Sequence, residues 1–117
     1  MTFEKLETAA RAEVETALAE LPPRIREVVE EAQISFESRP DADDIATGIA
    51  SDTLGLFDEG MADIPLPRIR LWLDNIYEFA REETGNGFRE EVRITLLHEI
   101  GHLLGWEEDD LEERELE

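Results

Sequence analysis

Apolar residues recur along the first twenty positions at steps of three and four. Phe3, Leu6, Ala10, Val14, Ala17 and Leu21 fall on one face of a helix that Thr2 is placed to cap. Pro22 and Pro23 end it, and Pro23 suits the first turn of a second, short helix carrying Ile25, Val28 and Val29. The period then changes to two. Ile34 and Phe36 alternate with Ser35 and Glu37, the pattern of a half-buried strand. Arg39 to Asp44 reads as an acidic loop, and residues 45–51 are ambiguous, with room for a short helical turn. Leu54 to Phe57 predicts a second strand, ended by Asp58, Glu59 and Gly60, and Pro65 and Pro67 punctuate a loop. Alternation returns from Arg68 to Leu73, with Ile69, Leu71 and Leu73 to one side and Arg68, Arg70 and Trp72 to the other.

Asp74 is placed to cap a helix carrying Ile76, Tyr77, Phe79 and Ala80, which Gly85, Asn86 and Gly87 end. A long helix is predicted from about Phe88 to Leu104, with Gly105 as its C′ residue. Asp109 or Asp110 is placed to cap a last acidic helix. No repeat and no low-complexity linker interrupts this order, so residues 1–117 are expected to form one domain. The mixture predicts an α+β fold, a small sheet packed against the long helix and the N-terminal helices.

Composition narrows the function classes. Thirty-one acidic residues against 11 basic ones give a net charge of −20. That excess repels phosphates, which argues against nucleic acid and anionic lipid as partners and favours basic ones. The plainer account of the charge is a solvated coat. With no cysteine, a thiolate metal site and a disulfide framework are excluded. No apolar run approaches a membrane span, and MTFEKLETAARAEVE lacks the apolar core of a secretory signal. A cytoplasmic protein is expected.

The chain's two histidines, His98 and His102, stand four apart with Glu99 directly after the first. On a helix this places Glu91, Thr95, His98 and His102 in one stripe with Glu99 at its margin, while Val92, Ile94, Leu96, Leu97, Ile100, Leu103 and Leu104 cover most of the rest. The helix is therefore expected to be largely buried, with the histidines on its polar seam. Residues i and i+4 stand one above the other, so two imidazoles can converge on one tetrahedral zinc ion. Glu99, one residue step round, can take a proton from a water on that ion. The alternative is a pair of core histidines satisfied by backbone carbonyls, with Glu99 at the surface. Gly105 lets the chain turn back sharply beneath the metal, where it could present a third ligand.

HEIGHLLGWEEDDLEE resembles the signature of the bacterial zincin-like metallopeptidases, short single-domain proteins with an HExxHxxGxxD/S motif. LPPRIREVVE, GLFDEG, PRIRLWL and REEVRITLLHEIGHLLG are similar to the family's layout over nearly the whole chain. The resemblance implies a minimal zincin-like domain in which His98 and His102 are metal ligands and Glu99 is the general base. The family's Asp or Ser falls on Glu108, a departure one methylene longer, with Asp109, Asp110 or a water as competitors for the third ligand position. A capping role for Glu108 and Asp109 is the bland alternative. The resemblance also makes Arg68 to Leu73 the strand bordering the cleft. As an edge it could pair with an extended peptide, and as an inner strand it could not. Trp72 and Tyr77 are candidates to line the cleft, or to pack in the core. Trp106 is expected to pack beneath the site.

Three functions compete. The first is zinc-dependent hydrolysis of a peptide or protein substrate, basic ones being attracted by the acid coat. The second is a non-catalytic zinc-binding module that engages a basic protein partner. The third, an acidic mimic of nucleic acid, rests on charge alone. Glu99 favours the first, because metal binding alone does not require it.

Overall fold

Thr2 caps the first helix as its side chain dictates: Oγ1 accepts the Lys5 N–H at 3.3 Å, and α1 runs Phe3–Ala19. The computed structural model describes residues 1–59 and 66–105. Leu6, Ala10, Val14 and Ala17 form the buried face of α1. Pro23 starts α2, Pro23–Glu30, which buries Val29 and leaves Val28 exposed.

Three strands follow, β1 (Gln33–Glu37), β2 (Gly55–Asp58) and β3 (Arg68–Trp72), in the spatial order β1-β3-β2. β1 runs parallel to β3, with Ile34 opposite Ile69 and Phe36 opposite Leu71. β2 is antiparallel to β3, with Gly55 opposite Leu71 and Phe57 opposite Ile69. Strand alternation then puts these six residues on one face. That face meets α1, α4 (Leu73–Phe79) and α5 (Phe88–Leu103), whose Ile76, Val92, Leu96 and Ile100 are fully buried with Ile69 and Leu71. The fold is α+β, as the pattern predicts. The Arg68 strand is not the edge: β1 and β2 cover both its sides, and among the described residues the edge that runs along α5 is β2.

The opposite face is held by charge. Arg70 is 8 % exposed and donates from Nε and Nη2 to Glu37, at 2.8 and 2.7 Å, and from Nη2 to Asp44 at 2.8 Å. Its guanidinium also lies over the Trp72 ring, 4.7 Å from the centroid. Asp44 reaches this position because residues 39–44 are not the expected acidic loop. Asp41 and Asp44 form a capping box, each side chain accepting the other's backbone N–H, and this opens α3, Ala42–Ala46. The helical turn therefore comes earlier than 45–51.

Asp74 is not a cap either. β3 passes directly into α4 with Trp72 as N-cap, and Asp74 sits in the first turn, bonded to Ser38 through both backbone and side chain. A π-turn, Ala80–Thr84, extends α4 and closes at Gly85, whose φ of 73° is the left-handed conformation glycine supplies. No described helix is long and apolar enough to cross a membrane.

Hydrogen bonds from Arg70 hold both Glu37 and Asp44 below the ordinary carboxylate range, against the opposing effect of burial. A lowered folded-state pKa means the unfolded chain binds protons first, so this stability is present above the ordinary carboxylate range and is lost as pH falls through the folded values. Asp44→Asn is therefore expected to be less stable than the parent at neutral pH, with the gap narrowing in acid. Urea unfolding at neutral and acid pH measures it, and a gap independent of pH would contradict the ion-pair account.

Candidate metal centre

α5 carries the site because its two long sides differ. Val92, Leu96 and Ile100 have no exposed surface and anchor the helix in the core. On the polar seam Glu91, Thr95 and Glu99 are buried, His98 is half-buried and His102 is exposed. The helix is thus less enclosed than its apolar residues predict: Ile94 and Leu97 are only half-buried, and the seam opens to solvent toward its C-terminal end. Leu104 is the C-cap, and Gly105 takes the expected left-handed conformation with φ 77°. Its N–H donates to the His102 carbonyl at 3.0 Å.

The three motif residues come together. One imidazole nitrogen from each histidine and one Glu99 carboxylate oxygen lie within 4.8 Å of one another. The two rings are 4.7 Å apart at their centroids and meet edge to face at 80°. Tetrahedral zinc, with bonds of ~2.0–2.1 Å, needs donors about 3.4 Å apart, so small side-chain rotations close the cluster on an ion. Imidazole and carboxylate without thiolate suit a borderline or hard divalent cation.

Glu99 is not the surface residue of the bland alternative. It is 8 % exposed, and its Oε1 accepts the Phe57 backbone N–H at 3.0 Å. Burial raises its proton affinity above that of an ordinary glutamate, while His102, His98 and the Phe57 N–H pull the other way. This partner is a main-chain group, so no side-chain pattern could have announced it. It is available because no other described strand pairs with that side of β2.

β2 comes this close because of Gly55. A Cβ there would stand 2.7 Å from Thr95 Cγ2, 3.2 Å from Leu71 Cδ2 and 3.3 Å from the Arg70 carbonyl oxygen. Thr95 is therefore a packing partner of the strand one turn before His98. The groove beside the site is a recess of about 430 Å³ bordered by Leu54, Gly55, Phe79, Ile94 and Thr95 together with Glu91, His98 and Glu99. Of the two roles open to Trp72 and Tyr77, lining the cleft or packing in the core, both take the second. Trp72 is fully buried beneath Arg70, and Tyr77 packs edge-on against Phe88, because the chain enters α4 immediately after β3. Phe79 takes the cleft position. Glu108, Asp109, Asp110 and Trp106 lie outside the described residues.

A family model described as zincin-like metallopeptidase matches residues 12–117. No curated protein matches the chain.

Two expectations follow from this geometry. The purified protein should take up one zinc equivalent in titration against a chromophoric chelator, and His98→Ala should weaken binding on the order of 100-fold or more, beyond what loss of a supporting contact costs. Uptake should fall in acid, since a protonated imidazole has no lone pair to offer. Separately, Gly55→Ala should cost about 1–3 kcal/mol by overpacking, and adding Thr95→Ser, which removes the opposing methyl, should recover part of that loss. Urea unfolding of both single variants and the double checks it; strictly additive losses would rule out the contact as the cause.

Proposed function

The chain belongs to the zincin-like metallopeptidase family, and from that premise we propose that it hydrolyses peptide bonds at a zinc ion held by His98 and His102, with Glu99 as general base. The observation that carries the reading is the buried Glu99 carboxylate in one cluster with two imidazoles, fixed by a backbone N–H. A purely structural zinc site is normally closed by four protein ligands and has no use for such a group. Bound zinc would supply Lewis acidity toward the scissile carbonyl and an acidified water.

The chain's own residues do the rest. Phe57 N–H holds Glu99 Oε1, which leaves Oε2 to take the proton of the attacking water and return it to the leaving amine. Burial favours the protonated carboxyl between those two transfers. The outer side of β2 offers main-chain groups along which an extended peptide can lie. Glu108 remains our candidate for the third ligand, with Asp109, Asp110 or a water as its competitors. The net charge of −20 favours basic peptides over nucleic acid. Absence of cysteine is in keeping with a cytoplasmic setting.

A peptide library incubated with the zinc-loaded protein tests the proposal. Glu99→Gln should retain zinc by metal analysis yet lose cleavage by about 100-fold or more, the usual worth of a general base. A parent protein that cleaves nothing would favour the non-catalytic zinc module with a basic partner. A fully active Gln variant would remove Glu99 from its role.

A further inference from the structure

Glu91 is the most deeply buried carboxylate of the α5 seam, 3 % exposed. It stands two turns before His98, about 10.5 Å along the helix axis at 1.5 Å per residue. Asn86 Nδ2 donates to its Oε1 at 2.7 Å, and among the described residues it has no cationic partner. One neutral amide leaves most of a carboxylate's acceptor sites open. Charges buried to this degree are normally paired.

Its position supplies the partner. Glu91 borders the same recess as His98 and Glu99, and Leu54, Phe79 and Ile94 supply its apolar lining. The slot therefore has greasy walls, with the cleavage residues at one end and a buried carboxylate at the other. Past Leu54 and Phe79 an adjoining cleft is bordered by Asp52, Glu82 and Glu83, and by Glu78, whose charge Arg39 pairs. No lysine or arginine among the described residues lines either hollow. The potential in the recess is accordingly negative.

We infer that this recess is the subsite for a lysine or arginine side chain of the substrate, with Glu91 pairing its cationic head. This rests on the peptidase reading above. A lysine side chain spans about 6 Å from Cα to ammonium, and with a contact of about 2.8 Å to the carboxylate it covers most of the distance from the level of His98 to that of Glu91. Its methylenes lie on the apolar walls while the head group meets the carboxylate. The arrangement deepens the preference for basic peptides from a property of the whole surface to a property of one residue. A merely structural Glu91 would tie Asn86 to the helix start and nothing more, and glutamine preserves that bond while removing the charge.

The test has two arms. In the first, zinc-loaded parent and Glu91→Gln are given matched peptides bearing lysine, arginine or norleucine at each position flanking the cleaved bond. The parent should favour lysine or arginine over norleucine at least tenfold at one position, and the ratio should fall to near unity in the variant. An unchanged ratio overturns the proposal. The second arm needs no cleavage. N-acetyl-lysine methylamide and its norleucine counterpart are titrated into the zinc-loaded protein, followed by the backbone amide NMR signals of Leu54, Glu91 and Ile94. The lysine compound alone should move these signals, and Glu91→Gln should abolish the response. No response to lysine, or the same response in the variant, overturns the subsite even where the first arm shows a working peptidase. Should the parent cleave no peptide, the proposed activity fails and this arm still decides the recess.

Discussion

The crossing of β2 over α5 at Gly55 is the contact from which the site's geometry follows. A four-residue edge strand lies against a helix closely enough that a single methyl group would collide with Thr95. Two residues on, the same strand gives its Phe57 N–H to Glu99. The strand thereby screens the carboxylate from water and fixes one of its oxygens. On its other side β2 is locked to β3 by the antiparallel ladder. β3 is in turn locked by the Arg70 ion pairs on one face and by the apolar core on the other. The position of one Glu99 oxygen therefore depends on an arginine on the far side of the sheet.

Basic residues are scarce in this chain, and several of them act as clips between elements. Arg93 donates to both Glu13 and Glu20, and Arg89 donates to Glu13 at 3.0 Å, joining α5 to α1. Arg39 reaches from the end of β1 to Asn75, at 2.9 Å, and to Glu78 on α4. The exposed members of this set are screened by solvent and add little. Arg70 differs because it is buried, doubly paired and stacked on Trp72. With the cations occupied in this way, the acidic side chains that border the groove beside the candidate centre and the adjoining cleft share their lining with no lysine or arginine among the described residues.

Much of this was legible in the residues themselves. Helix periodicity located α1 and α5 to within about two residues, since each buries one long apolar stripe. Proline and glycine marked α2, the close of the π-turn and the end of α5, where backbone geometry leaves few choices. The pairing of His98 and His102 with Glu99 followed from spacing alone. What escaped was tertiary. Whether β3 is central or an edge depends on which strands flank it, and alternation within one strand carries no such information. Asp44 looked like loop acid because its value comes from Arg70, distant in the chain. The Asp41–Asp44 capping box did carry a local signal, a carboxylate pair three apart, and reading it would have placed α3. The burial of Glu91 and the cleft position of Phe79 depend on how the α4 end faces α5, which no short window of sequence contains.

Gly105 stops α5 three residues beyond His102. The main-chain dipoles of sixteen helical residues therefore add up toward the very turn that presents the second imidazole. The last carbonyls of that turn give it a partial negative charge independent of any side chain. A divalent cation arriving there meets a favourable field before the first bond to nitrogen forms. Ending the helix at this residue thus makes the backbone itself part of the field that a cation at the candidate centre would feel.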